Sequence, residues 1–259
     1  MAVILGGNDT LPQITLTQSQ TFVPPQDGNV CIHVVGAGGA GGARGGSQNS
    51  GGAGGYCKKN SLAVTTAGSF TVVVGVGGAS HVSSNAVNAG GNSTVAGTGL
   101  SATLTANGGG GAGPNTGNVQ GAGGTAANGD VNNTGGAGGI AGGGGAVGIY
   151  GTGAAGRNTK GGGVSDAQGG GLAMSGFGEI VGGSAQSLEK DNGSGAALWP
   201  GVAGDLCGGA FAEIASNTSG LLATGGYGGI GGGGGAGDAN VPIAGQGGDG
   251  IVLIQYLPS

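Results

Sequence analysis

The sequence predicts a mainly β protein with polyglycine-II-type packing and almost no α-helix. Three observations carry that prediction. Gly fills 75 of the 259 positions, and within its tracts it recurs at a spacing of three. Stretches of strand length, apolar or alternating, stand near both ends of the chain and between the tracts. Only 7% of the residues are charged and mean hydropathy is positive, the opposite of the solvated composition that keeps Gly-rich chains disordered.

The Gly content sets the energetic problem. A Gly held in regular structure costs about 0.5–1 kcal/mol more than Ala, against a net domain stability of about 5–15 kcal/mol. An ordered chain therefore needs a compensation that only Gly can supply. Gly36, Gly39, Gly42, Gly45, Gly51 and Gly54 share one phase of a three-residue repeat, and Ala37, Ala40 and Ala43 share another. The habit returns around Gly135 and Gly138. Three residues per turn is the period of the extended left-handed helix, which makes no internal hydrogen bonds. Its N–H and C=O groups point outward and need partners. Parallel bundling supplies them, because Gly lets backbones approach closely. Collagen is excluded, since the repeat is broken and only 7 residues are Pro.

The conventional elements follow in chain order. Residues 11–17 alternate, with Ile14 and Leu16 opposed to Gln13 and Thr15, and suit a strand with one buried face. Phe22-Val-Pro-Pro-Gln-Asp-Gly is a turn-rich connector, and Val30-Cys-Ile-His-Val-Val is a second strand. Residues 70–76 read as a third strand and 100–106 as a weaker fourth. The closing Ile251-Val-Leu-Ile-Gln-Tyr is apolar on both faces and is expected to be covered on both. The best helix candidate, residues 185–190, is too short and Gly-flanked to stand alone.

Charge and cysteine usage exclude several classes. A net charge of −5 with six Lys+Arg opposes nucleic-acid binding, which needs clustered cations. No run of about 18 apolar residues is present to insert in a membrane. Met1-Ala-Val-Ile-Leu-Gly-Gly lacks the basic start and apolar core of a signal peptide. Cys31, Cys57 and Cys207 are odd in number and widely spaced, which is neither a disulfide framework nor a zinc pattern. The expected site of synthesis is a reducing cytoplasm, with release by lysis.

The motifs that look chemical dissolve on inspection. Gly36-Ala-Gly38-Gly-Ala-Gly41 after an apolar strand matches the dinucleotide fingerprint. The residues that follow cannot open a helix, and no acid stands about 20 residues on. Gly247-Gly-Asp-Gly occurs once, whereas the calcium-binding Gly/Asp motif works as a repeat. Asp249 reads as the turn residue before the last strand. His33, between Ile32 and Val34, is expected on the less buried face of its strand. Neither His33 nor His81 has Cys or carboxylates at metal spacing, and no nucleophile elbow is visible. The expectation is a binding protein without catalytic residues, metal or cofactor.

The order of pieces resembles a known family. Phe22-Val-Pro precedes Val30-Cys-Ile-His-Val-Val-Gly-Ala-Gly-Gly, then Gly51-Gly-Ala-Gly-Gly-Tyr56 and Gly68-Ser-Phe-Thr-Val-Val-Val-Gly. Gly90-Gly-Asn-Ser-Thr-Val, Ala106-Asn-Gly-Gly-Gly-Gly-Ala and Gly247-Gly-Asp-Gly-Ile-Val-Leu-Ile-Gln-Tyr follow. Residues 20–257 are similar to the glycine-rich domain of bacteriophage tail-fibre and adhesin proteins. A similar domain occurs in receptors of the anaplastic lymphoma kinase family. The resemblance implies a small β-sheet that frames a lattice of polyglycine-II helices, whose joining loops carry recognition. It divides the chain into a docking or assembly segment, 1–20, and a glycine-rich domain, 21–259. It implies a virion protein, a homotrimer docked onto other virion proteins through its N-terminal segment. Its partner would be a host-surface glycan or outer-membrane protein. Fibre adhesins of the best-known type carry a longer docking domain than these 20 residues. The alternatives are a virion scaffold or head-decoration protein, and an ice-binding polyglycine protein. The last needs a flat face of regularly spaced Thr or Ala, and Thr94, Thr98, Thr103 and Thr105 are irregular in sequence.

Scarce aromatics supply the candidate receptor contacts. Segments 149–160 and 179–200 break the Gly pattern and hold most of the local charge. Tyr and Trp are favoured anchors of recognition. The candidates are Tyr150, Arg157, Phe177, Trp199 and Tyr227, with Trp199, before Pro200-Gly201, foremost. The competing reading is that these side chains fill gaps where the lattice meets the sheet.

Overall fold

The computed structural model describes residues 3–5, 13–42, 49–80, 87–113, 119–139, 143–147, 151–153, 155–156, 228, 230–235 and 244–258. Within them eleven strands form two antiparallel sheets, and no helix occurs. The strands are β1 Val3–Leu5, β2 Gln13–Leu16, β3 Gln20–Phe22, β4 Gly28–Val35, β5 Tyr56–Val64 and β6 Phe70–Val73. Then come β7 Ser93–Gly97, β8 Leu104–Ala106, β9 Ala126–Ala127, β10 Val131–Asn133 and β11 Ile251–Tyr256. One sheet runs β1-β2-β11-β4-β5-β10 and the other β3-β6-β7-β8-β9.

Alternation dictates how they pack. Ile14 and Leu16 of β2, Ile32 and Val34 of β4, and Val252 and Ile254 of β11 face one way. They meet Phe70 and Val72 of β6, Val95 of β7 and Leu104 of β8 in a shared apolar core. Phe22 closes the edge against Phe70, ring centroids 6.3 Å apart. The opposite face of the larger sheet is covered too, where Val35, Tyr56, Ile251 and Leu253 pack against Ala146, Val147 and Ile230. The expected double coverage of the last strand is present. The single sheet of the resemblance is thus a sandwich of two.

Past the sheets the chain continues into extended runs that bond backbone to backbone. We number them I (36–42), II (49–55), III (75–80), IV (87–92), V (107–113), VI (119–125), VII (134–139), VIII (143–147), IX (151–153 and 155–156), X (228 and 230–235) and XI (244–250). In run I successive N–H groups donate in rotation to three neighbours. Gly36, Gly39 and Gly42 donate to Gly55, Gly52 and Asn49 of run II; Ala37 and Ala40 to Gly91 and Asn88 of run IV; Gly38 and Gly41 to Gly248 and Gly245 of run XI. Its carbonyls accept from Gly109 and Ala112 of run V, Gly78 of run III and Gly234 of run X. Run I is therefore surrounded by II, III, IV, V, X and XI. Run II rotates in the same way, donating to V, VII and X and accepting from I, VI and VIII.

This is the three-residue rotation that the Gly phase predicted. Runs III, IV, V, VI, VII, VIII, X and XI close a ring around I and II, each bonded to the next. Run IX lies outside it, on run VII, through Gly153 N–H to Thr134 O and Gly156 N–H to Ala137 O. Such contact is possible only without a side chain. A Cβ built on Gly39 would fall against the carbonyl of Gly110, and one on Gly138 against that of Ser50.

Sheets and lattice are continuous. β6, β7, β8 and β9 lead into or out of III, IV, V and VI, while β4, β5, β10 and β11 do the same for I, II, VII and XI. Runs VIII and X make a third row beneath the larger sheet.

Six strands were not expected: β1, β3, β5, β7, β9 and β10. β5 begins Tyr-Cys-Lys-Lys-Asn-Ser, whose polar run hides its alternation, and its pairing with β4 shifts register between Val30 and Ile32. β7, β9 and β10 are short and flanked by Gly or Asn. β3 ends on Phe22, the first residue of the predicted connector. His33 is also a correction: it is only 5% exposed, because the face it shares with Cys31 and Val35 is buried rather than open. Residues 3–5 and 13–16 of the predicted docking segment pair as strands of the larger sheet. The helix candidate, 185–190, lies outside the described residues.

Candidate functional site

The runs pair as hairpins, and their pairing geometry locates the joining segments. The last bonds of each pair are Gly42 N–H to Asn49 O (2.7 Å), Gly113 N–H to Val119 O (2.8 Å) and Gly245 N–H to Gly235 O (2.9 Å). Asn88 Nδ2 donates to Ala79 O (2.7 Å), and Gly136 N–H to Gly145 O (3.1 Å) holds VII to VIII. Lateral bonds put these ends at one level. Ser50 N–H donates to Gly139 O, Gly41 N–H to Gly245 O, and Ser80 Oγ to Ala244 O. The described residues that bound segments 43–48, 81–86, 114–118, 140–142 and 236–243 thus all lie at the lattice end away from the sandwich. Among these residues no side chain is charged.

Two polar side chains are buried at this end. Asn49 and Ser50 are 1% and 0% exposed, and Asn49 Oδ1 and Nδ2 and Ser50 Oγ have no hydrogen-bond partner.

A second polar cluster sits in the larger sheet. Cys31 Sγ lies 3.1 Å from His33 Nε2, and His33 Nδ1 lies 2.7 Å from Tyr56 Oη. Residues i and i+2 of β4 share a face, and β5 brings Tyr56 beside them. Burial, with Lys58 adding to it, drives the His33 pKa down to about 3. Burial pushes the Cys31 thiol up, against the pull of Lys58, and raises the Tyr56 phenol as well. Cys57, on the core face, is pushed up to about 12 by burial, partly offset by a backbone hydrogen bond at Thr105. A nucleophilic Cys–His pair needs thiolate beside imidazolium. Here both groups are held neutral, so the arrangement is a buried hydrogen-bonded relay. The Cys-x-His spacing was visible in the sequence, but nothing there signalled its burial.

The described acids tie distant parts of the chain together, Asp27 by accepting Thr66 N–H. Asp249, expected as a turn residue before the last strand, instead ties run XI to run III: its Oδ1 accepts Gly77 N–H at 2.7 Å. Asp130 pairs with Lys59 Nζ and Asn60 N–H, both at 2.8 Å, on the surface. Among the described residues no group of three or more His, Cys, Asp or Glu could hold a metal ion. Tyr150, Arg157, Phe177, Trp199 and Tyr227 all lie outside the described residues.

A family model described as a glycine-rich domain matches residues 15–257. No curated protein matches the chain.

Proposed function

The chain belongs to the glycine-rich domain family, and from that premise we propose that it is a bacteriophage virion protein. Its role is that of a tail-fibre or tail-tip adhesin. It binds a host-surface glycan or outer-membrane protein through the lattice end away from the sandwich. One observation supports this above the rest: the described residues that bound the joining segments of I–II, III–IV, V–VI, VII–VIII and X–XI stand at that end. Recognition commonly resides on loops held by a rigid scaffold. The lattice, with each central run bonded on six sides, is such a scaffold. The sandwich end then serves for attachment to the rest of the virion.

The test is binding of the purified full chain to intact cells of the host its virus infects. Cells stripped of surface polysaccharide and cells shaved with protease are the comparison. Saturable binding lost on one treatment names the ligand class. Trp199→Ala is expected to weaken attachment and leave the melting temperature unchanged; an unfolded variant would place Trp199 in packing instead. No binding to the intact host would refute the adhesin reading and leave a structural virion role.

A further inference from the structure

From Asn60 to Gly129 the chain carries no Asp, Glu, Lys or Arg. That stretch builds most of one layer, β6 to β9 with runs III to VI, and β3 completes the sheet at its edge. Its inner face is the sandwich core and the contact with runs I and II. Among the described residues nothing covers its outer face. On the sheet part, cross-strand register sets Val73 opposite Thr94, and Thr94 opposite Thr105. On the lattice part, Val76, Val87 and Val119 are 69%, 54% and 53% exposed.

The lattice part is also flat. Run V bonds to both central runs, through Gly109 to Ala37 and Gly52 to Gly110. Hexagonal packing then sets IV, V and VI in one straight row. Surfaces of soluble chains are normally studded with charge, and a large uncharged face with exposed valines marks an interaction site.

We propose that this continuous face is an interface with a second copy of this chain, in a two-fold dimer. Size supports it. Strand and run together extend about 35 Å, and four strands about 5 Å apart span about 19 Å. The footprint of roughly 650 Å² approaches the ~800 Å² per partner of a stable complex. Composition supports it too, since charge is depleted in interface centres. A face without charge meets its own copy without repulsion, and one such face per chain gives an isologous pair. Run IX offers the precedent in this molecule: an extended run seated on the outside of the closed ring through backbone hydrogen bonds. The dimer departs from the trimer that the resemblance implies, and it stands independently of the receptor reading.

Sedimentation of the full chain from about 1 to 100 μM tests it, with the expected result a reversible dimer. Val87→Lys combined with Val119→Lys puts like charges on both sides of the two-fold and is expected to raise the dissociation constant at least about 100-fold. Both side chains are exposed, so the melting temperature of the dilute protein should not move. Ala67→Lys, in the exposed turn before β6, is the control and should leave the dimer intact. A monomer throughout, a trimer, a dimer indifferent to the paired lysines, or equal weakening by Ala67→Lys would each overturn the proposal.

Discussion

Replacing Gly39 with Ala adds a single methyl at the centre of the lattice, and its cost can be worked from the geometry. The new Cβ would fall against the carbonyl of Gly110 and the N–H of Gly111, both backbone atoms that cannot swing aside. Run I must move away from run V. That displacement strains the two bonds that join them, Gly109 to Ala37 (2.8 Å) and Ala112 to Ala40 (2.9 Å). Overpacking of this kind costs about 1–3 kcal/mol, and each weakened hydrogen bond about 0.5–1.5 kcal/mol. The lower entropy of the unfolded Ala chain returns about 0.4–1 kcal/mol. The net is a loss of about 1–6 kcal/mol, or roughly 2–20 °C in melting temperature for a domain of this size. Two controls separate sterics from glycine itself. Gly151→Ala meets nothing within 4 Å and should be silent, while at Gly42 the nearest atoms stand at 3.2 and 3.6 Å and the cost should be small. Thermal melts of the three variants beside the parent decide the matter. A Gly39→Ala protein that melts with Gly151→Ala would refute the close-packing argument.

Acid should weaken the fold through His33. Its folded pKa near 3 lies below the ordinary value of 6.5, so the unfolded chain binds the extra proton between those limits. Stability is complete above about pH 6.5 and falls as pH drops toward 3, by about 2 kcal/mol at pH 5. Denaturant midpoints at pH 7 and pH 5 should differ less in a His33→Gln variant, and an unchanged difference would remove His33 from the explanation. Cys31 and Cys57 are buried with raised pKa values, so both should resist a thiol reagent at pH 8 until the chain is unfolded; native-state labelling of either would contradict their placement. On the surface, Lys59→Ala should cost under about 1 kcal/mol as an exposed ion pair. Asp130→Ala should cost more, because it also strips the Asn60 N–H of its acceptor, and chemical denaturation gives the order.

How much of this was legible in the sequence depended on which force placed each residue. The alternation of Ile14 and Leu16 survived intact, because a face buried against a core leaves a period of two. The Gly phase of residues 36–54 survived as well, since contact with six neighbours admits a side chain only in one direction. That direction is where Ala37, Ala40 and Ala53 stand, all fully buried. β5 was hidden because Lys58, Lys59 and Asn60 stand where the sheet is half open. His33 was misplaced because alternation identifies two faces but not how many layers cover them. Runs VIII and X, more than a hundred residues further along the chain than β4, make the third layer there. The irregular spacing of Thr94 and Thr105 in sequence likewise conceals that register sets them side by side.

The same phase rule makes the lattice tolerant of long insertions and intolerant of short ones. Adding Ala-Gly-Gly between Gly36 and Ala37 advances run I by one full turn. Every donor still points to the neighbour it had, each Ala falls in an Ala position, and the surplus passes into segment 43–48. Lengthening that segment by three residues costs only a few tenths of a kcal/mol in closure entropy. A single Gly inserted at the same point rotates everything after it by a third of a turn. Ala37 then occupies the place of Gly38, where a Cβ meets the carbonyl of Gly232, and each later Ala moves into a Gly position, although every backbone N–H still finds an acceptor. Overpacking of this kind costs about 1–3 kcal/mol at each displaced Ala. The expected order of melting temperatures is parent, then the three-residue insertion within a few degrees, then the one-residue insertion far below. If one added residue proved gentler than three, the chain would be held by loose Gly contacts rather than by a phased lattice.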